Sequence, residues 1–330
     1  MGKSSTTKRA AHRLKMLMTN DELRMTNLKS AVWVFVIFGV LCVSARNSLA
    51  QENVFTLKQV DRAAQLDFLS QAIADGSTEQ KRDALLQIRN LESAEASQIA
   101  VAALRDKAEI VRATATASVV FLPANNAARN LIPLLADKSP FVRREAAAAL
   151  GKVGDSSAVV SLLQILQKDK ILEVRNAAIV ALGAIGDVSA VGDLIVILQK
   201  KPAAKEEFAR RSAARSVGQI AQIIQTGKIV VLTPESFLPE KFQIIELPKY
   251  PKLAESFPAF RPAISTLIET LQNPKEFPDV KREAAFALGA IGDESAIPIL
   301  QANINSDDYY LAEICRESLR KIAADKFFQN

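Results

Sequence analysis

Three pairs of charged residues recur at one spacing: Asp106 with Arg112, Asp137 with Arg143, and Asp169 with Arg175, six residues apart each time. Carboxylates and guanidiniums in this pattern can bond across neighbouring elements, or line a groove for a phosphate or another acidic ligand. Catalytic material beside them is thin. The single histidine (His12), the single tryptophan (Trp33) and all four methionines lie in the first fifty residues, and Cys315 is the one cysteine after them. Without histidine, neither the usual Cys/His zinc sites nor Ser/His/Asp or Cys/His relays can be built beyond residue 50. No two carboxylates stand where they would converge as general acid and base. The residues therefore point to no catalytic group, no metal site and no cofactor.

Charge narrows the partners further. The chain carries a net charge of +6, but its first fifty residues hold eight of the 42 basic and two of the 36 acidic side chains. The remaining 280 residues thus carry 34 of each sign and are neutral. A neutral body lacks the electrostatic footprint that a phosphate backbone demands, so nucleic acid is not expected as a partner.

Residues 1–50 read as a leader. The apolar run at residues 31–43 would span about 20 Å as a helix, short of the roughly 30 Å hydrocarbon core of a bilayer. Its length, with Ser48 and Ala50 after it, predicts a secretory signal cut between Ala50 and Gln51, and Met25 would be a start of more ordinary proportions. The alternative is a membrane anchor over residues 31–45, the only membrane contact that the chain suggests. Cys42 as a lipidation site is disfavoured by the leucine before it. The expected organisation is this leader followed by one body over residues 51–330.

That body is repetitive. Counting Val142 as position zero, equivalent segments begin at Gln80, Val111, Val174, Ala209, Val280 and Leu311. Four residues on, the side chain is always small: Ala84, Ala115, Ala146, Ala178, Ala213, Ala284 and Cys315. Eight and eleven residues on it is always apolar, as in Leu150 and Val153. Offsets of four, eight and eleven share one face of a helix, and the small slot marks the close approach of another helix. In the copies starting at Val142, Val174 and Val280 glycine then stops the helix, and Asp155, Asp187 and Asp293 follow as N-caps of a second one. Gly183, Gly186 and Asp187 are thereby read as a corner between two helices and not as a phosphate loop.

The segments "VRREAAAALGKVGD", "VRNAAIVALGAIGD" and "VKREAAFALGAIGD" resemble HEAT repeats, especially the short kind of phycobilisome-lyase-like proteins, over roughly residues 60–326. The resemblance implies an all-α, right-handed solenoid of stacked helical hairpins with a period near 31 residues. It implies that the aspartates and arginines form a ladder linking neighbouring hairpins, with the aspartate lost in the later copies. It also implies that the second helices line the concave side, where Asn130, Ser161, Asp193 and Thr266 make one exposed row, with Gln164, Val196 and Glu269 in the next. This small, polar surface suits a polypeptide partner better than a nucleic acid.

Between Ala209 and Val280 the repeat is stretched, leaving an insertion over residues 226–258. "KIVVL" and "KFQIIEL" read as two short strands, and "PKYPKLAESFP" as an extended arm. Long insertions on rigid scaffolds often carry function, which makes Phe237, Phe242 and Tyr250 candidate contacts. Arg210, Arg211 and Arg215 read as a solvated basic face. The expectation is an exported, non-enzymatic scaffold that binds another protein through its concave helices and the insertion. Its alternatives are a lyase-like protein handling a bilin, which the resemblance implies, and a membrane-tethered adaptor.

Overall fold

The computed structural model describes residues 61–228 and 253–323, and no strand occurs among them. The leader, the two strands expected in the insertion, and Phe237, Phe242 and Tyr250 lie outside the described residues. The chain divides into two units, Met1–Asp67 and Phe68–Asn330. Residues 61–67 of the first are helical. The second begins with a helix at residues 68–75 (α1).

Seven helices carry the repeat: α2 (Thr78–Asn90), α4 (Glu109–Ser118), α6 (Pro140–Val153), α8 (Leu172–Ile185), α10 (Glu207–Thr226), α13 (Pro278–Ile291) and α15 (Tyr309–Ile322). Alternating with them are α3 (Ala94–Ala100), α5 (Ala124–Leu131), α7 (Val159–Lys168), α9 (Val191–Gln199), α12 (Phe260–Gln272) and α14 (Ile297–Ala302), with a single turn, α11 (Leu253–Ser256), ahead of α12. The first helices pack side by side in chain order, α10 lying directly on α13 across the insertion. From α5 onward each second helix packs chiefly on the first helix that follows it, α5 on α6, α7 on α8, α9 on α10, α12 on α13 and α14 on α15, whereas α3 packs chiefly on α2 before it. The result is the expected all-α solenoid of stacked hairpins.

The predicted stripe is the core. Every residue of the small slot is buried, and so are Ile88, Val119, Leu150, Leu182, Val217 and Leu288 eight places after the first six starts, while Leu319 of the last copy is half-buried. The outer positions Leu91, Val153, Ile185 and Ile322 are only half-buried. Cys315 is wholly buried, and burial pushes its thiol up to about 12, which makes it inert core.

A second seam was not expected. Nine places after the start, Gly151, Gly183, Gly218 and Gly289 each face the residue seven places after the next start. A Cβ added to Gly151 would lie 2.8 Å from the Cα of Ala181, and one on Gly289 2.8 Å from the Cα of Ser318. Ser216 and Ser318 use the closeness to donate to the carbonyls of Ile179 and Ala285 on the preceding first helix, at 3.0 and 2.9 Å. Gly183 therefore sits inside α8 as a contact point, and the corner belongs to Gly186, whose φ is 80°, and Asp187.

Asp155, Asp187 and Asp293 do cap, each accepting from the backbone N–H two residues on at 2.9 Å. They open a 3-10 turn that leads into the second helix. The expected extended arm is corrected over part of its length. Leu253–Ser256 is helical because Leu253 and Ala254 are buried and the Leu253 carbonyl accepts from Phe257 N–H.

Candidate functional site

The ladder is present, and its bonding has two parts. Arg112 donates through Nη1 to the carbonyls of Asp106 and Lys107 in the turn just before its own helix, at 2.8 and 3.0 Å. Its Nε and Nη2 form a fork on the Asp137 carboxylate, in the turn before the next first helix, at 2.8 and 2.9 Å. Arg143 repeats this, with Nη1 on Asp137 O at 2.9 Å and the fork on Asp169 at 2.6 and 3.0 Å. Lys81 begins the series on Asp106 at 2.8 Å. Each aspartate is also tied to a backbone N–H two residues on, of Ala108, Ser139 and Ile171.

These bonds set the charge states. The fork of Arg112 holds Asp137 below the usual carboxylate range, and that of Arg143 does the same for Asp169. For Asp106 burial pushes upward most strongly, but Lys81, the Ala108 N–H and Arg112 together outweigh it and the net direction is down.

Beyond the insertion the ladder is rebuilt from other residues. Arg210, expected on a solvated face, is 1% exposed. It forks onto Glu276, 66 positions away, and donates to the carbonyls of Ile197 and Lys200 at 3.0 and 2.6 Å. A guanidinium can be buried there because a carboxylate and two carbonyls satisfy it. Arg211 and Arg215 pair with Asp279 and Glu283, each at 3.3 Å. Arg282 then closes on Asp308 at 2.9 Å. Glu283 is the exception to good pairing: its Oε2 is buried without a partner, and burial raises its pKa to about 7.

Arg175 is the incomplete member. Its Nη1 donates to Asp169 O at 2.8 Å in the posture of Arg112 and Arg143. The place of the next aspartate is taken by Ala204. Among the described residues no carboxylate closes its fork. A cleft of about 420 Å³ opens at that point, lined by Arg175, Asn176, Asp193, Val196, Lys200 and Glu206 among others.

The expected recognition row is partly assembled. Asn130, Ser161 and Asp193 are half-buried, whereas Gln164, Val196 and Glu269 are exposed, Val196 by 51%. Asn130 bonds back to Asn126 O at 2.8 Å, and Asp193 accepts from Gln167 of α7 at 2.7 Å. Thr266 does not belong to the exposed row. It is 5% exposed because α12 packs on α9, where its hydroxyl meets Gln199 at 3.4 Å. Asp193 and Val196 also line the Arg175 cleft, so the row and the ladder, unrelated in the sequence, meet there.

A second cleft, of about 630 Å³, was not foreseen. It lies on the first-helix layer between α6 and α8, with Ala148, Ala177, Val180 and Ala184 on its walls and Phe208 at its edge. The sequence signal for it was apolar residues out of phase with the stripe: Val180 and Phe208 are 47% and 46% exposed. Among the described residues no group of three or more His, Cys, Asp or Glu could hold a metal ion, and no helix is long and apolar enough to cross a membrane.

A sequence model of HEAT repeats matches residues 128–218 and 253–320. No curated protein matches the chain. Among solved structures, it is similar to human deoxyhypusine hydroxylase in complex with glycerol, at 20% identity over 82% of this chain and 99% of that one, with a TM-score of 0.36. The complex of CpcE and CpcF of phycocyanin lyase from Nostoc sp. aligns at 18% identity over 77% of this chain and 86% of that one, TM-score 0.42. The karyopherin Kap121p, bound to the extreme C-terminus of the protein phosphatase Cdc14p, aligns at 16% identity over 81% of this chain and 31% of that one, TM-score 0.45.

Proposed function

The chain carries HEAT repeats, and on that premise we propose that it is an exported, non-enzymatic scaffold that binds a polypeptide on its second-helix layer, with the 226–258 insertion adding contacts. The observation that carries this reading is the row from Asn130 and Ser161 to Asp193, flanked by the exposed Gln164, Val196 and Glu269. Short polar side chains on rigid helices offer hydrogen bonds to a backbone at little entropic cost. Neutral charge over residues 51–330 favours such a partner over a polyanion.

A photo-crosslinking side chain introduced at Gln164 or Glu269, compared with one at the exposed Glu173 on the other layer, tests the surface in extracts of the native compartment. One polypeptide captured from the first two positions and not from the third supports the reading. Capture only from Glu173, or from none, overturns it. Replacing residues 229–252 by a short Gly/Ser linker tests the arm, since an undiminished yield would remove it from the interface. For export, the intact mass of the natural protein should begin at Gln51, and a mass retaining residues 25–50 would favour a tether.

A further inference from the structure

We propose that the open rung at Arg175 is a carboxylate-recognition site, completed by an acidic group of the bound polypeptide in place of the aspartate that the ladder lacks. Three closed rungs define what the guanidinium requires. In Arg112, Arg143 and Arg210 the Nη1 edge is spent on carbonyls, and the Nε and Nη2 edge is filled by a carboxylate from the next hairpin. Arg175 has made the first set of bonds and is thereby oriented, but Ala204 brings no acid to the second edge. What stands there is the 420 Å³ cleft.

Two further features of the cleft describe its ligand. Asn176, which borders both clefts, has its Oδ1 buried without a hydrogen-bond partner, and a ligand with a donor beside its carboxylate would satisfy it. Lys200 adds positive charge on the wall, while Asp169 is already neutralised by Arg143 and Asp193 accepts from Gln167. Glu206, also on the wall, is the acid among the described lining residues that could compete for the fork. A carboxylate with an adjacent amide N–H meets both demands. A peptide presents that chemistry as an acidic side chain or as its own C-terminus.

This deepens the scaffold reading and depends on it only for the source of the carboxylate; a failed titration would leave the crosslinking result standing. The test follows the Arg175 Nε–H signal by NMR in the natural protein while N-acetyl-glycyl-glutamate amide, N-acetyl-diglycine or the uncharged N-acetyl-diglycine amide is added. The first two peptides distinguish a side-chain carboxylate from a C-terminal one. One or both should shift the Arg175 signal saturably, the amide should not, and Arg175→Gln should weaken binding at least tenfold with its melting temperature lowered by no more than about 4 °C. The proposal is overturned if no carboxylate shifts the signal, if the amide shifts it equally, or if Arg175→Gln binds as the natural protein does. It is also overturned if the ligand-free spectrum shows Glu206 already seated on the fork.

Discussion

The α6–α8 and α8–α10 junctions share a glycine seam, Gly151 against Ala181 in one and Gly183 against Ser216 in the other, yet only the first closes its arginine rung. Two functions that look inseparable in a regular solenoid are thereby separated. Stacking is carried by the seam and the apolar stripe, where dispersion and burial act along a whole helix. The ladder ties each turn to the next, and it can be left open at one place without parting the helices. An open rung on a closed seam is a polar socket on a rigid wall.

The largest way to break this comparison is at the rung rebuilt over the insertion. Arg210 and Glu276 are both buried, so Arg210→Met strands a carboxylate in the interior and should destabilise the body by about 3–5 kcal/mol. Urea unfolding checks this. The paired Arg210→Met, Glu276→Leu variant should recover most of the loss, because it is the unpaired charge and not the missing bond that costs.

Titration sharpens the contrast between regions. The ladder carboxylates Asp106, Asp137 and Asp169 are held low, so their contribution is full above the ordinary carboxylate range and is lost as pH falls through their folded values. Glu283 behaves oppositely. Its folded pKa of about 7 lies above the ordinary 4.5, so the stability it contributes is full below 4.5 and is lost as pH rises to about 7. That swing amounts to at most about 3 kcal/mol. Glu283→Gln should flatten the melting temperature between pH 4.5 and 7 and raise it at pH 8, leaving the acid-side fall in place. A variant that melts like the natural protein at every pH would show that Arg215 keeps Glu283 charged.

The seam itself should respond to a single methyl. In Gly151→Ala the new Cβ must displace the Ala181 backbone, which cannot swing aside as a long side chain would, and a loss of about 1–3 kcal/mol is expected. The same substitution at Gly154, at the end of α6, meets no atom within 4 Å but must hold a φ of 74°, so its cost would be strain and not packing. Crystal structures of both variants distinguish the two causes: a wider α6–α8 spacing in the first and an unaltered one in the second.

The stripe and the capping aspartates were legible because periodicity reports local geometry: a residue four or eight places on is on the same face whatever the rest of the chain does. The rungs up to Asp169 were legible for the same reason, since their partners recur at nearly constant spacing. Arg210 was misread as solvated because its partner lies across the insertion at Glu276, out of register with the earlier aspartates, and no local pattern joins them. Thr266 was misread by extending the register over that same insertion, where α12 settles on α9. The open rung was half legible. The missing aspartate could be read at Ala204, but that a cleft with an unpaired Asn176 oxygen stands in its place depends on the path of residues 200–206, which periodicity does not describe.

The smallest expected effect is the most discriminating. If stacking at α8–α10 owes nothing to a carboxylate on Arg175, then Arg175→Met should cost less than about 1 kcal/mol, the range of a solvent-facing charge, because only the bond to the Asp169 carbonyl is lost and the aliphatic stem is kept. Arg143→Met, at the closed rung one hairpin earlier, loses the same type of carbonyl bond and also frees the Asp169 carboxylate, so its loss in urea unfolding should be several-fold larger. Equal losses would mean that the Arg175 fork is occupied within the folded chain, and the distinction between a ladder that holds and a ladder that waits would disappear.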